Sequence, residues 1–225
     1  MESFFDLMSR IRSNPVDLTL TLKNGWPGVH FEPANTLERD GWNARMLHLY
    51  SHCGTHVDAP YHFGVSDQTI EQYDPASFMG AAWVIRLNRP APRQVITPED
   101  LGDIKDIFKP GESLLIQTNW SGLVGITAYR DELPRIGMEL ALWCVEHQVK
   151  MLGVEPPSVA DVNNLEEVTR IHQVLLGGKV IIVEGLTCLD QLTTRKVFFM
   201  ALPLKIEKGD GAPARAIAFE LNQEE

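Results

Sequence analysis

Eight short apolar runs rich in branched residues constrain the fold of this chain more than any other feature. They are VDLTLTL (16–22), ARMLHLYSH (44–52), AAWVIRLN (81–88), SLLIQTNW (113–120), KMLGVE (150–155), KVIIVEG (179–185), VFFMALPLKI (197–206) and ARAIAFEL (214–221). Their length and the Gly, Pro or Asn residues that bound most of them read as β-strands. Several are almost wholly apolar, as strands covered on both faces must be. Helical signals lie between them. Thr97-Pro98-Glu99-Asp100 sets an N-cap, a first-turn proline and two acids in order, the start of a short helix. Residues 134–148 carry Ile136, Leu140, Trp143 and His147 at helical spacing. NNLEEVTRIHQVLLGG caps on Asn164, places Leu165, Val168, His172 and Leu175 on one face and stops at Gly177-Gly178. The expectation is an α/β chain, one domain over residues 1–225, with a mixed β-sheet or barrel-like core of about eight or more strands and a few flanking helices. The pattern does not contain the strand order.

At 225 residues and 44% hydrophobic, the chain has the material for a substantial core. Thirty acidic side chains against twenty basic ones give a formal net charge of −10. With no long Lys/Arg cluster, this excludes nucleic acid and anionic membrane as natural partners and leaves small molecules, cations and protein surfaces. Cys53, Cys144 and Cys188 are odd in number and widely spaced, against both a disulfide framework and a thiolate zinc site. The opening MESFFDLMSRIRS lacks the pattern of a secretory signal. No apolar run reaches the length of a membrane span. A reducing cytoplasm is the expected location.

The chemistry concentrates in HLYSHCGTHVDAPYHFG, residues 48–64. The whole chain has seven histidines, yet His52, His56 and His62 fall with Asp58 inside eleven residues. Residues 44–52 alternate like a strand, which puts His48, Tyr50 and His52 on one face; Gly54 then frees the backbone to turn and Pro60 stiffens the exit. Imidazole and carboxylate without thiolate suit zinc, manganese or iron at a catalytic site with an open position. Asp58 has two oxygens to share between two ions. Taken singly, each histidine reads as an ordinary hydrogen-bonded residue; the joint pattern HxGTHxDxPxH is far more specific. Cys53, between two of them, reads as a small packed residue.

HCGTHVDAPYHF resembles the defining motif of the cyclase family of metal-dependent hydrolases, which includes bacterial kynurenine formamidases and isatin hydrolase. DLTLTL…WPG (17–28), IQTNWS (116–121) and ALPLKIEKGDGAPARAIAF (201–219) resemble the family's N-terminal strand and turn, central strand end and closing hairpin. The resemblance implies a swivelling β/β/α type of fold and one or two zinc or manganese ions. It also implies a second half-site, supplied here by His172 and Glu184. His52, His56 and Asp58 would bind one metal, and Asp58, His172 and Glu184 a second, or orient the first. Read from the residues alone, His172 is a core histidine on an apolar helix face, and Glu184 is an acid at the end of an apolar strand, costly there unless paired or coordinated. One departure stands out. Where the family carries an Asp followed by Ser-x-Asp, GVEPPSVADV has Glu155, and Asp161 falls one residue late.

His62, beyond the Ala59-Pro60 step, is expected to act as the catalytic acid–base. A metal lowers the pKa of bound water from 15.7 to about 7, and an imidazole can take the proton from such a hydroxide source and return it to a leaving nitrogen. The alternative for His62 is a fourth ligand or a residue that orients one. Trp26, Phe63 and Trp120 are candidates for an aromatic substrate pocket, with core packing as the competing role. The implied activity is opening of an amide or lactam C–N bond in a small, aromatic, formylkynurenine-like or isatin-like molecule. A metal-dependent cyclase, dehydratase or lactone hydrolase is the second class, and a non-enzymatic metal-binding protein the third. The family commonly forms homodimers or homotetramers, and the aromatic ESFFDLM segment offers an interface. GxSxG, P-loop, GxGxxG and HExxH patterns are not found, which sets aside covalent serine catalysis and nucleotide-driven chemistry.

Overall fold

Covering both faces of several apolar strands requires a sheet with packing on each side, and the chain meets this by closing its sheet into a barrel. The computed structural model describes residues 8–12, 14–87 and 90–222. In chain order the strands are β1 (Val16–Asp17), β2 (Val29–Asn35), β3 (Ala44–Leu49), β4 (His56–Asp58), β5 (Met79–Arg86), β6 (Val95–Ile96), β7 (Ser113–Gln117), β8 (Arg135–Ile136), β9 (Met151–Val154), β10 (Ile181–Glu184), β11 (Lys196–Pro203) and β12 (Gly211–Glu220). The main sheet runs β1-β12-β11-β5-β7-β9-β10-β4, and β4 also pairs with β12. Seven strands therefore form a closed ring, with β1 and β4 sharing one edge of β12 at its opposite ends. β5, β7, β9 and β10 are parallel neighbours, and parallel neighbours need crossovers. Two helices, α1 (Met138–Glu146) and α2 (Leu165–Gly177), lie in those crossovers.

Pleating divides the apolar residues into two cores. Val57, Leu115, Ile181, Val183, Val197 and Phe199 pack within the barrel. Leu114, Ile116, Leu152 and Ile182 face the other way, against Leu140, Ala141 and Cys144 of α1 and Ile171, Leu175 and Leu176 of α2. This division fixes the position of the polar residues. On β4, Val57 points into the barrel, so His56 and Asp58 point to the helix side. On β10, Ile182 faces the helices, and so does Glu184 two residues on. Glu184 lies opposite His56 in the β10–β4 ladder.

Several expectations need correction. The 16–22 run forms a strand only at Val16–Asp17; beyond it, the Leu20 N–H bonds the Thr55 hydroxyl rather than a ladder partner. The 44–52 run ends as a strand at Leu49, so His52 lies in the following turn and does not share a strand face with His48, whose ring pairs with Glu32 at the surface. β2 and β4 carry no clear strand signal in the sequence. Leu165 is 79% exposed and does not join the buried face of α2. The aromatic Phe4 and Phe5 of the N-terminal segment lie outside the described residues. Among the described residues, no helix is long and apolar enough to cross a membrane.

Candidate metal centre

Four elements deliver the cluster. The turn after β3 brings His52, β4 brings His56 and Asp58, and β10 brings Glu184; α2 lays His172 over them. His52, His56 and Asp58 offer donor atoms within 4.8 Å of one another, and so do Asp58, His172 and Glu184. Asp58 faces both groups: its Oδ1 is 2.8 Å from His52 Nδ1 and 3.5 Å from His56 Nε2, while Oδ2 is 3.6 Å from His172 Nε2. Glu184 places Oε2 3.2 Å from His56 Nε2 and Oε1 3.3 Å from His172 Nε2, and Oε1 also accepts the Val159 N–H at 2.7 Å.

The ring nitrogens test whether a cation fits. His56 Nδ1 donates to the Gly54 carbonyl at 3.0 Å and His172 Nδ1 to the Val168 carbonyl at 2.7 Å. The Nδ1 proton of each ring is thereby committed to the backbone, and each Nε2 is turned toward carboxylate oxygens, where a neutral ring would set a lone pair against lone pairs. Lone pairs facing lone pairs repel unless a proton or a metal lies between them. His56 Nε2 and Asp58 Oδ2 are buried without a hydrogen-bond partner, a costly state for polar atoms. The same excess of negative charge holds the imidazoles up. Burial lowers His52, but Asp58 and Asp210 outweigh it and raise it to about 9. Burial likewise opposes, and the carboxylates reverse, the shifts of His56 and His172. Burial raises Glu184, yet His172 and His56 pull it well below the usual carboxylate range. A set of imidazole and carboxylate donors with this hunger for positive charge suits a divalent cation.

His62 lies in the turn Pro60–Phe63 and stacks on His52 at 3.7 Å between ring centroids. Burial, with the nearby His52 and His172 rings, depresses its pKa, so it is held neutral and able to accept a proton. Phe63 stacks on His172 at 4.2 Å and meets His62 edge-on. Trp26 is half-buried in its Trp-Pro-Gly turn, which is tied to Tyr50 by the Tyr50 N–H to Gly28 carbonyl bond; the Tyr50 ring is 5.4 Å from His52. Trp120 is only 6% exposed and donates its indole N–H to the Tyr129 carbonyl. Cys53 is buried, as expected.

Glu155 turns out to be an internal brace. Its Oε2 accepts the Thr118 N–H at 2.7 Å, the Thr118 hydroxyl at 2.8 Å and the Trp120 N–H at 3.2 Å, which knits the end of β7 to the loop that presents Val159 to Glu184. Asp161 instead accepts the Asn163 N–H at 2.9 Å ahead of α2. Sequence reasoning missed Asp210. Its Oδ2 lies 3.1 Å from His52 Nε2 and 3.6 Å from His62 Nδ1. Its position within EKGDGAP carries no local signal; only the pairing of β12 with β4 brings it to the cluster.

A family profile described as "Putative cyclase" matches residues 16–161. The kynurenine formamidase of Salinibacter ruber is 31% identical over 175 residues, covering 78% of this chain and 79% of its own. That of Bacillus mycoides is 28% identical over 212 residues, covering 90% and 95%. Among solved structures, isatin hydrolase A from Labrenzia aggregata superposes with a TM-score of 0.84 at 22% identity, covering 93% of this chain and 94% of its own. Isatin hydrolase A from Ralstonia solanacearum gives 0.77 at 25%, covering 92% and 91%.

Proposed function

This chain belongs to the cyclase family of metal-dependent hydrolases, and from that premise we propose that it hydrolyses the C–N bond of a small aromatic amide or lactam. The relatives named as kynurenine formamidases and isatin hydrolases support a formylkynurenine-like or isatin-like substrate. His52, His56 and Asp58 would hold one zinc or manganese ion, and Asp58, His172 and Glu184 would hold a second or orient the first. A bound divalent cation supplies water activation near neutral pH and polarisation of the substrate carbonyl. The chain's own residues do the rest. His62, neutral and 24% exposed at its side chain, takes a proton from the attacking water and returns it to the departing nitrogen. Phe63 offers its ring as a wall for an aromatic substrate, with the Trp26 turn beyond Tyr50 as the outer lining and Trp120 as packed support beneath the Glu155 loop.

The observation that carries this reading is the pair of Nε2 atoms, of His56 and His172, aimed at two buried carboxylates with each Nδ1 already held by a backbone carbonyl. The metal content of protein purified without added metal, beside His52→Ala, tests it. One or two equivalents lost in the variant, with turnover of an aryl formamide or an isatin-like lactam that incorporates labelled oxygen from water, is the expected result. A folded protein that takes up neither ion removes the proposal; turnover without label moves it to cyclase or dehydratase chemistry.

The protein is proposed to act in the cytoplasm as a homodimer or homotetramer. The β2–β3 hairpin supports assembly, because Leu37, Trp42, Met46, Leu47 and Tyr50 on and around it are exposed, and an isolated two-stranded hairpin is marginal in water. Sedimentation equilibrium giving a monomer at micromolar concentration would remove that part.

A further inference from the structure

A histidine has two ring nitrogens, and something must decide which one faces an ion. Backbone carbonyls settle this for His56 and His172. His52 is settled differently. Its Nδ1 faces Asp58 at 2.8 Å, and its Nε2 meets Asp210 Oδ2 at 3.1 Å. Strand pairing explains why Asp210 is there. Gly211, the first residue of β12, lies opposite Asp58 in the ladder, and the residue before it therefore flanks the far side of the His52 ring. The segment is anchored on both sides: the Asp210 carbonyl accepts the Ala59 N–H and the Gly209 carbonyl the Ile70 N–H, each at 2.9 Å.

Space points to the same ring as charge does. A Cβ on Gly211 would sit 2.7 Å from His52 Cε1 and 2.7 Å from the Val57 carbonyl oxygen. Only glycine lets the imidazole lie this close to the strand. We propose that Asp210 and Gly211 form a positioning device for His52: the carboxylate accepts the Nε2–H, so that the Nδ1 lone pair is presented beside Asp58 and His56, and the missing side chain leaves the ring its place. The same carboxylate oxygen, 3.6 Å from His62 Nδ1, ties the orientation of the ligand to that of the base. Asp210 is a positioning residue here, its side chain 38% exposed and set behind the ring.

This inference rests on the metal reading of the site, so the test measures metal binding rather than turnover alone. Metal-stripped wild type, Asp210→Ala, Asp210→Asn and Gly211→Ala are titrated with zinc against a competing chelator. The 15N-histidine spectra of the zinc-loaded proteins are compared, with the His52 signals identified from His52→Ala. Loss of a residue that orients a metal-bound histidine typically costs 10–100-fold in affinity, and that loss at unchanged stoichiometry is expected for Asp210→Ala and Gly211→Ala. Asp210→Asn keeps an acceptor oxygen and is expected to lose less; it also covers the case in which Asp210→Ala does not fold. His52 is expected to be protonated at Nε2 and metal-bound through Nδ1, the reverse of His56 and His172, with that signature lost in Asp210→Ala. Wild-type affinity and an unchanged His52 signature in Asp210→Ala overturn the inference alone. A drop of one zinc equivalent in both Asp210 variants overturns it in favour of Asp210 as a ligand. Wild-type protein that binds neither zinc nor manganese removes the metal reading and this inference together.

Discussion

Thr55 follows His52 by three residues and precedes His56, yet its side chain serves the backbone. Its hydroxyl accepts the Leu20 N–H at 2.9 Å and donates to the Gly185 carbonyl at 2.5 Å, pinning the entry to β4 against the residue that follows Glu184. Thr55→Val keeps the shape and orphans both groups. The expected loss is about 1–3 kcal/mol for each buried group left unsatisfied, read by urea denaturation; a change under about 0.5 kcal/mol, the level of an ordinary surface substitution, would show that the tie contributes nothing. Gly185 is constrained more severely. It has φ +68°, and a Cβ there would lie 2.3 Å from the Gly54 carbonyl oxygen. Gly185→Ala is expected to cost about 2 kcal/mol or more from strain and displaced backbone, measured in the same way. The sequence made His52, His56 and Asp58 legible through their density, and the resemblance drew in His172 and Glu184. Thr55 and Asp210 were not legible in these roles, because their partners lie 130 and 158 residues away, a separation that no local window spans.

Elements were legible where their signals are local. The helix α2 begins and ends where its cap and glycines indicate: the Asn164 side chain accepts the Glu167 N–H at 3.2 Å and the helix stops at Gly177. Leu165, the first residue of the helix, stands outside its buried face, which Ile171, His172, Leu175 and Leu176 form. Asn164→Ala is expected to cost about 1 kcal/mol, the usual value of a lost N-cap. Zinc affinity should change little, since Ile171, Leu175 and Leu176 hold the turns around His172 against the sheet. Titration of that variant against a competing chelator checks the separation; a large loss of affinity would mean that fraying at the cap reaches His172. The strand β4 was illegible for the opposite reason. It is three residues long, two of them polar, and it is a strand only because β10 and β12 offer ladders on its two edges.

At the scale of the molecule, that short strand completes the barrel. It contributes three paired positions to β12 and two to β10, while its own Asp58 and the neighbouring Glu184 are buried among three imidazoles. Closure and charge are thus concentrated in one place, and a cation bound there would favour the folded chain, since the unfolded chain holds no such site. Ligand at a thousand times its dissociation constant stabilises a fold by about 4 kcal/mol. A chain of this length gains roughly 2–4 °C in Tm for each kcal/mol. Saturating zinc is therefore expected to raise the Tm of metal-stripped protein by about 8–16 °C in scanning calorimetry, and chelator should reverse the gain. Asp58→Asn separates metal binding from mere packing. It removes one buried negative charge, one proposed shared ligand and the partner of His52, so the metal-free protein should melt only modestly below the metal-free wild type, while the zinc increment should vanish. An increment retained in Asp58→Asn would place the stabilising ion elsewhere on the chain. A metal-free variant that melts far below metal-free wild type would mean that Asp58 supports the closing strand chiefly through contacts within the protein rather than through a cation.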